Sequence, residues 1–96
     1  MYKKKENILI VGCGNMGKAH INSFINKKKI NLFIYDKNKS QIKEYENNKN
    51  ITILNNLKLL KKYKFCIVST NSFERFNVFK NLVDQKKIEI FLLEKF

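Results

Sequence analysis

The chain has 96 residues, 44% hydrophobic and 29% charged, which is room for one globular domain and argues against disorder. Its longest apolar runs fall far short of the roughly 20 residues a membrane helix needs, and the stretch behind Met1–Lys5 leads into glycines rather than a cleavage site, so the expected location is the cytoplasm. The net charge of +12 invites a nucleic-acid reading, but all but one of the twenty basic residues are Lys, with Arg75 the exception, so a solvated surface without a specific nucleic-acid partner is expected.

Asn7-Ile8-Leu9-Ile10-Val11 is an apolar, β-branched run ending at a glycine, the pattern of a strand buried on both faces of a parallel sheet. From Asn15 the period turns helical, with Met16, Ile21, Phe24 and Ile25 on one side and Lys27 to Lys29 at the C-terminal end of the dipole. Asn31 to Tyr35 predicts a second strand closed by Asp36. Asn38 or Ser40 could cap a short helix carrying Ile42 and Tyr45, before a turn over Asn47 to Asn50. Ile51 to Leu54 predicts a third strand, Leu57, Leu60 and Tyr63 a short helix, and Phe65 to Thr70 a fourth strand without a charge in it. Asn71 followed by Glu74 reads as a capping box opening a helix whose buried stripe is Phe76, Phe79, Leu82 and Val83. Ile88 to Leu93 is the fifth strand. Strands alternating with helical segments, over connections too long for hairpins, imply β-α-β units and a doubly wound parallel sheet in the order 3-2-1-4-5.

Gly12-Cys13-Gly14-Asn15-Met16-Gly17 matches G-x-G-x-x-G between a predicted strand and a predicted helix, the context a dinucleotide fingerprint requires. Gly12 allows the turn off the strand, Gly14 lets the backbone approach a pyrophosphate, and Gly17 lets the helix pack closely on the sheet. The N–H groups and dipole of the helix start supply the anion site, with Asn15 and Met16 beside it. The alternative is that the glycines only make a tight turn; against it, they are the only three in the chain. Asp36, about 20 residues beyond the loop, is placed to accept from an adenosine ribose and to repel a 2′-phosphate, which favours NAD over NADP; the alternative is that it caps the following helix. Cys13 sits where a helix N-terminus would favour a thiolate. Neither Cys13 nor Cys66 has metal-ligand or C-x-x-C spacing, so no metal site or disulfide framework is expected. His20 has no obvious partner for acid-base work, which leaves packing or lining of the cofactor pocket. The lysines fall at the ends of elements rather than on one face, and the wealth of Lys, Asn, Ile and Phe has the mark of A+T-rich codons.

Gly12-x-Gly14-x-x-Gly17-x-x-His20, Asp36 closing the second strand, Ile67-Val68-Ser69-Thr70 closing the fourth and Glu94-Lys95 closing the fifth together resemble the nucleotide-binding domain of the Gfo/Idh/MocA oxidoreductases, the glucose-fructose oxidoreductase and inositol dehydrogenase family. The resemblance covers essentially the whole chain. It implies a three-layer α/β Rossmann fold and hydride exchange between NAD or NADP and a hydroxyl carbon of a sugar, cyclitol or similar compound. It also implies a cofactor site that takes in Ser69, Thr70 and Asn71. Lys95 matches the family's catalytic lysine, where a cation would lower the pKa of the reacting hydroxyl; the alternative is a solvated terminal lysine. Glu94 would position Lys95 or contact the nicotinamide side. The sequence departs from the family pattern at Phe96 and Asn71, where the family has proline, and at Arg75, where it often has histidine.

Family members carry a second domain that binds substrate and provides a catalytic histidine. Residues 1–96 are therefore expected to be the cofactor domain alone, a fragment, truncated frame or half of a split enzyme, binding a dinucleotide without turnover. Its expected partners are the dinucleotide and either a separately encoded substrate domain or a second copy. A different reading is a free-standing nucleotide-sensing module with no catalysis.

Overall fold

The apolar runs become strands, and the computed structural model, which describes residues 5–94, orders them as a five-stranded parallel sheet. In chain order the elements are β1 Glu6–Val11, α1 Asn15–Phe24, β2 Ile30–Tyr35, β3 Ile51–Ile53, β4 Tyr63–Val68, α2 Ser72–Asp84 and β5 Ile88–Leu93. The sheet order is β3-β2-β1-β4-β5, as the sequence predicts. The chain builds one half through β2 and β3, then crosses to β4 and β5. This puts the switch point, and the crevice that comes with it, at the C-terminal ends of β1 and β4.

The two-residue period of the central strand divides its side chains between two cores. Ile8 and Ile10 join Ile34, Ile67 and Ile21 of α1 on one face, while Leu9 and Val11 join Phe33, Cys66, Val68 and Leu82 of α2 on the other. The sheet is thus the middle of three layers, the Rossmann arrangement. On the α1 face, Phe65, Ile90 and Leu92 of β4 and β5 remain 38–44% exposed because α1 covers only the β1–β2 side. No helix among the described residues is long and apolar enough to cross a membrane.

Four local expectations are corrected. The helix expected over Leu57, Leu60 and Tyr63 is not formed: Tyr63 starts β4 and Leu60 is 92% exposed. The Asn56 side chain instead accepts the Lys58 N–H, and the Gln85 side chain of the α2 C-cap accepts the Leu59 N–H and donates to Leu57 O, so a distant amide takes the place of helical hydrogen bonds. Between β2 and β3 the expected helix shrinks to two 3-10 turns, Lys39–Gln41 and Lys43–Tyr45, the first capped by Asn38. Helix α2 is rotated from the expected stripe. Leu82 is buried with Val78 beside it and Phe79 packs edge-to-face on Phe91 at 4.9 Å, whereas Phe76 and Val83 face outward. The fourth strand also ends at Val68, which leaves Ser69 and Thr70 in the loop that follows.

Cys13 and Cys66 are free and buried, and burial pushes both thiols from 9.0 up to about 12, with Asp36 adding to the effect at Cys13. At Cys13 burial therefore outweighs the pull of the helix N-terminus toward a thiolate. Because the folded value lies above the unfolded one, their stabilisation is complete below pH 9 and is lost as pH rises toward 12, at up to about 1.4 kcal/mol per pH unit for each thiol. Urea unfolding at pH 8 and pH 10.5 is expected to show a steeper loss of stability in the wild-type chain than in a Cys13→Ala/Cys66→Ala variant. Equal losses would rule the thiols out as the cause.

Candidate functional site

The turn leaving β1 can be made only with glycine at two of its three positions. Gly12 has φ +93°, and a Cβ there would lie 2.7 Å from the carbonyl carbon of Ser69 and from the Thr70 nitrogen. At Gly17 a Cβ would fall 1.9 Å from the carbonyl oxygen of Gly12, so α1 can start this close to β1 only without a side chain. Gly14 differs: a Cβ there would meet nothing within 4 Å. It occupies the N-cap of α1 without a side-chain cap, and no acidic residue stands in the first turn. The N–H groups of Asn15, Met16 and Gly17 lie ahead of the first helical hydrogen bond, Lys18 N–H to Gly14 O at 2.8 Å, and have no acceptor among the described residues, which leaves them to face an anion.

The neighbouring strand ends hold this loop in place. The Gly12 N–H donates to Tyr35 O at 2.8 Å, and the Ser69 N–H donates to Val11 O at 2.8 Å. Asp36 Oδ2 accepts the Cys13 N–H at 2.7 Å, and Oδ1 accepts the Asn38 N–H at 2.8 Å. The carboxylate therefore both braces the glycine loop and fixes the next turn, so the capping role is present. Each oxygen retains a lone pair for a further donor.

Two adjoining cavities lie at this end of the sheet. One, of about 360 Å³, is lined by Gly12, Gly14, Asp36, Ser69, Thr70 and Asn71 among others. The second, of about 390 Å³, has Leu57, Phe73 and Val78 as its apolar wall. Both include Gly12, Asp36, Lys37 and Glu74, and the Lys37–Glu74 ion pair lies along their shared wall. Ser69 Oγ and Thr70 Oγ1 are buried and make no hydrogen bond among the described residues. The capping box is half formed: Asn71 Oδ1 accepts the Glu74 N–H at 3.0 Å, but the Glu74 carboxylate turns to Lys37.

Glu94 leaves β5 toward α1, where its Oε1 lies 2.6 Å from His20 Nε2, and Arg75 donates to its carbonyl oxygen. His20 thus has a partner, 74 residues away in sequence, which corrects the expectation that it has none. The Glu94 carboxylate faces His20, while Lys95, the candidate catalytic residue, lies outside the described residues. The structure thus gathers Gly12, Gly14, Asp36, Ser69, Thr70 and Asn71 around one cavity and sets Glu94 on His20. Asn15, Met16 and Gly17 form the first turn of α1 beside it.

Sequence reasoning missed Lys37, Phe73 and Glu74 as lining residues. The signal was available: Phe73 and Glu74 follow the Asn71 cap, so the first turn of α2 opens at the same sheet end as the glycine loop. Among the described residues no group of three His, Cys, Asp or Glu side chains could hold a metal ion.

The Gfo/Idh/MocA family model, described as an oxidoreductase family with an NAD-binding Rossmann fold, matches residues 6–95. No curated protein matches the chain.

Proposed function

The chain belongs to the Gfo/Idh/MocA oxidoreductase family, and from that premise we propose that it binds NAD in preference to NADP, as the cofactor domain of an oxidoreductase acting on a hydroxyl carbon of a sugar, cyclitol or similar compound. The observation that carries the reading is the unequal packing of the three glycines. Gly12 and Gly17 are filled in by the protein's own backbone, whereas Gly14 borders open space beside two buried hydroxyls without partners. A turn built only for tightness would not need its middle glycine. A backbone that a pyrophosphate must approach does need it.

The residues present fit the group. The first N–H groups of α1, from Asn15 to Gly17, would hold the pyrophosphate, and Asp36 would accept from the adenosine ribose. The cavity walled by Leu57, Phe73 and Val78 would take the adenine, and Ser69, Thr70 and Asn71 would line the path toward the nicotinamide. The nicotinamide supplies the hydride acceptor or donor. Lys95 is proposed as the cation that favours the alkoxide form of a substrate hydroxyl, with Glu94 and His20 holding the end of β5 against α1. The chain has a single histidine and Glu94 occupies it, so we propose that residues 1–96 bind the dinucleotide without turning over substrate by themselves.

The test is calorimetric titration with NADH and NADPH. NADH is expected to bind more tightly, and Asp36→Asn, which keeps an acceptor but removes the charge, is expected to reduce the preference by about tenfold, the size of one charge contact of about 1.4 kcal/mol. An unchanged preference would remove Asp36 as the selector, and no binding of either dinucleotide would remove the proposed function.

A further inference from the structure

A lysine stands at or just before the start of every strand: Lys5 ahead of β1, Lys29 ahead of β2, Lys49 ahead of β3, Lys62 ahead of β4 and Lys87 ahead of β5. In an antiparallel sheet these would alternate between two ends. In this parallel sheet every strand starts at the same end, so lysines that look scattered along the chain converge on the face opposite the glycine loop. This corrects the expectation that they are not gathered on one face.

At the starts of β2 and β3, beside the C-terminus of α1, two of these lysines, Lys5 and Lys49, border a cavity of about 660 Å³. Lys5, Lys27, Lys28, Lys49 and Lys61 line it, and among the described residues no carboxylate does. None of the five is in an ion pair among the described residues; the lysines that are, Lys18, Lys37 and Lys64, lie elsewhere. The cavity includes the buried residues Leu32 and Phe33, and Asn26, Asn31 and Thr52 add neutral polar groups. Three carbonyls beside the cavity are engaged within the chain: Phe24 O accepts the Lys27 N–H, Lys27 O accepts the Ile30 N–H and Lys29 O accepts the Glu6 N–H. Charge of one sign around a concavity with low-dielectric walls focuses the field on its interior. The volume lies in the range of small-molecule sites.

We propose that this cavity is a second binding site, separate from the dinucleotide cleft, for a compact polyanion bearing several phosphate groups. Five ammonium groups without acids match several negative charges close together. The cavity does not suit a nucleic-acid strand. Among the described residues the only aromatic ring in it, Phe33, is 5% exposed and has Lys61 Nζ 5.3 Å from its centroid, so it offers no face for base stacking, and no arginine lines it for paired contacts to a base edge.

The test titrates the chain with inorganic tripolyphosphate at near-physiological salt. Saturable binding at one site per chain is expected, weakened at least tenfold in Lys27→Gln/Lys49→Gln/Lys61→Gln. A control, Lys39→Gln/Lys43→Gln/Lys80→Gln, removes equal charge away from the cavity and is expected to change the affinity less than about twofold, because exposed charges beyond a Debye length are screened. NADH binding should be the same in both variants, so failure here is distinct from failure of the cofactor reading. Three results would each overturn the proposal: no saturable binding, equal weakening in both variants, or tighter binding of a short single-stranded RNA than of tripolyphosphate through the same lysines.

Discussion

Gly17→Ala is expected to leave the chain unfolded at 25 °C. The added Cβ would sit 1.9 Å from the Gly12 carbonyl oxygen, a backbone atom that cannot swing aside as a side chain would. Gly12 cannot retreat either, since its N–H is bound to Tyr35 O and its Cα lies against the Ser69–Thr70 peptide. Relief requires α1 to move off the sheet, and α1 contributes Ile21, fully buried among Ile8, Ile10 and Ile34. The cost is expected to exceed about 4 kcal/mol, against a total stability of roughly 5–15 kcal/mol for a domain of ordinary size, with small domains at the low end. Circular dichroism and urea titration would read it directly. A cooperative transition within about 1 kcal/mol of wild type would show that the contact between β1 and α1 is looser than described.

Gly14→Val is expected to do the opposite: keep the fold and abolish dinucleotide binding. Nothing of the protein lies within 4 Å of the position a Cβ would take, and the backbone there is extended, with φ −72° and ψ −162°, which valine adopts readily. The unfolding midpoint should therefore stay close to wild type. The branched side chain would stand in the space through which a pyrophosphate reaches the first N–H groups of α1, and the loss in NADH affinity is expected to be at least about a hundredfold, some 2.7 kcal/mol. Calorimetry paired with thermal unfolding separates the two effects. NADH affinity unchanged in a folded Gly14→Val chain would mean that the pyrophosphate does not approach at the glycine loop. The pair of glycine variants thus divides one short motif into a part that folds the protein and a part that serves its ligand.

The strands and the loop were legible because each depends on local pattern. β1 shows its two-sided burial in the unbroken run Ile8 to Val11, and the three glycines stand out in a chain that has no others. Asp36 was readable from its place after β2, although its second duty, accepting the Cys13 N–H, depends on a fold that joins two residues 23 apart. The segment from Leu57 to Tyr63 misled because its three-residue spacing imitates a helix, while the Gln85 side chain that shapes it comes from the far end of α2. Helix α2 carries apolar residues on several sides, Phe73, Phe76, Phe79, Leu82 and Val83, so periodicity alone could not choose which side faces the sheet. The meeting of His20 with Glu94 depends on β5 ending beside α1, which spacing does not reveal. The gathering of lysines was recoverable in principle, since a parallel sheet puts every strand start at one end, but only once topology is joined to charge.

A glycine-rich loop suggests slack, yet this one has little. Its Gly12 and Cys13 N–H groups are both engaged, and Gly17 rests against the Gly12 carbonyl, so the segment loses its freedom when the sheet forms. Ordering a loop of this kind at the moment of binding would cost about 1–2 kcal/mol for each residue fixed. Here that entropy is spent in folding, and a ligand meets a cradle already set. Hydrogen exchange at the Gly12 and Cys13 amides should then be slow in the free protein and change little when NADH is added, a kinetic signature of a site that is stiff before it is filled.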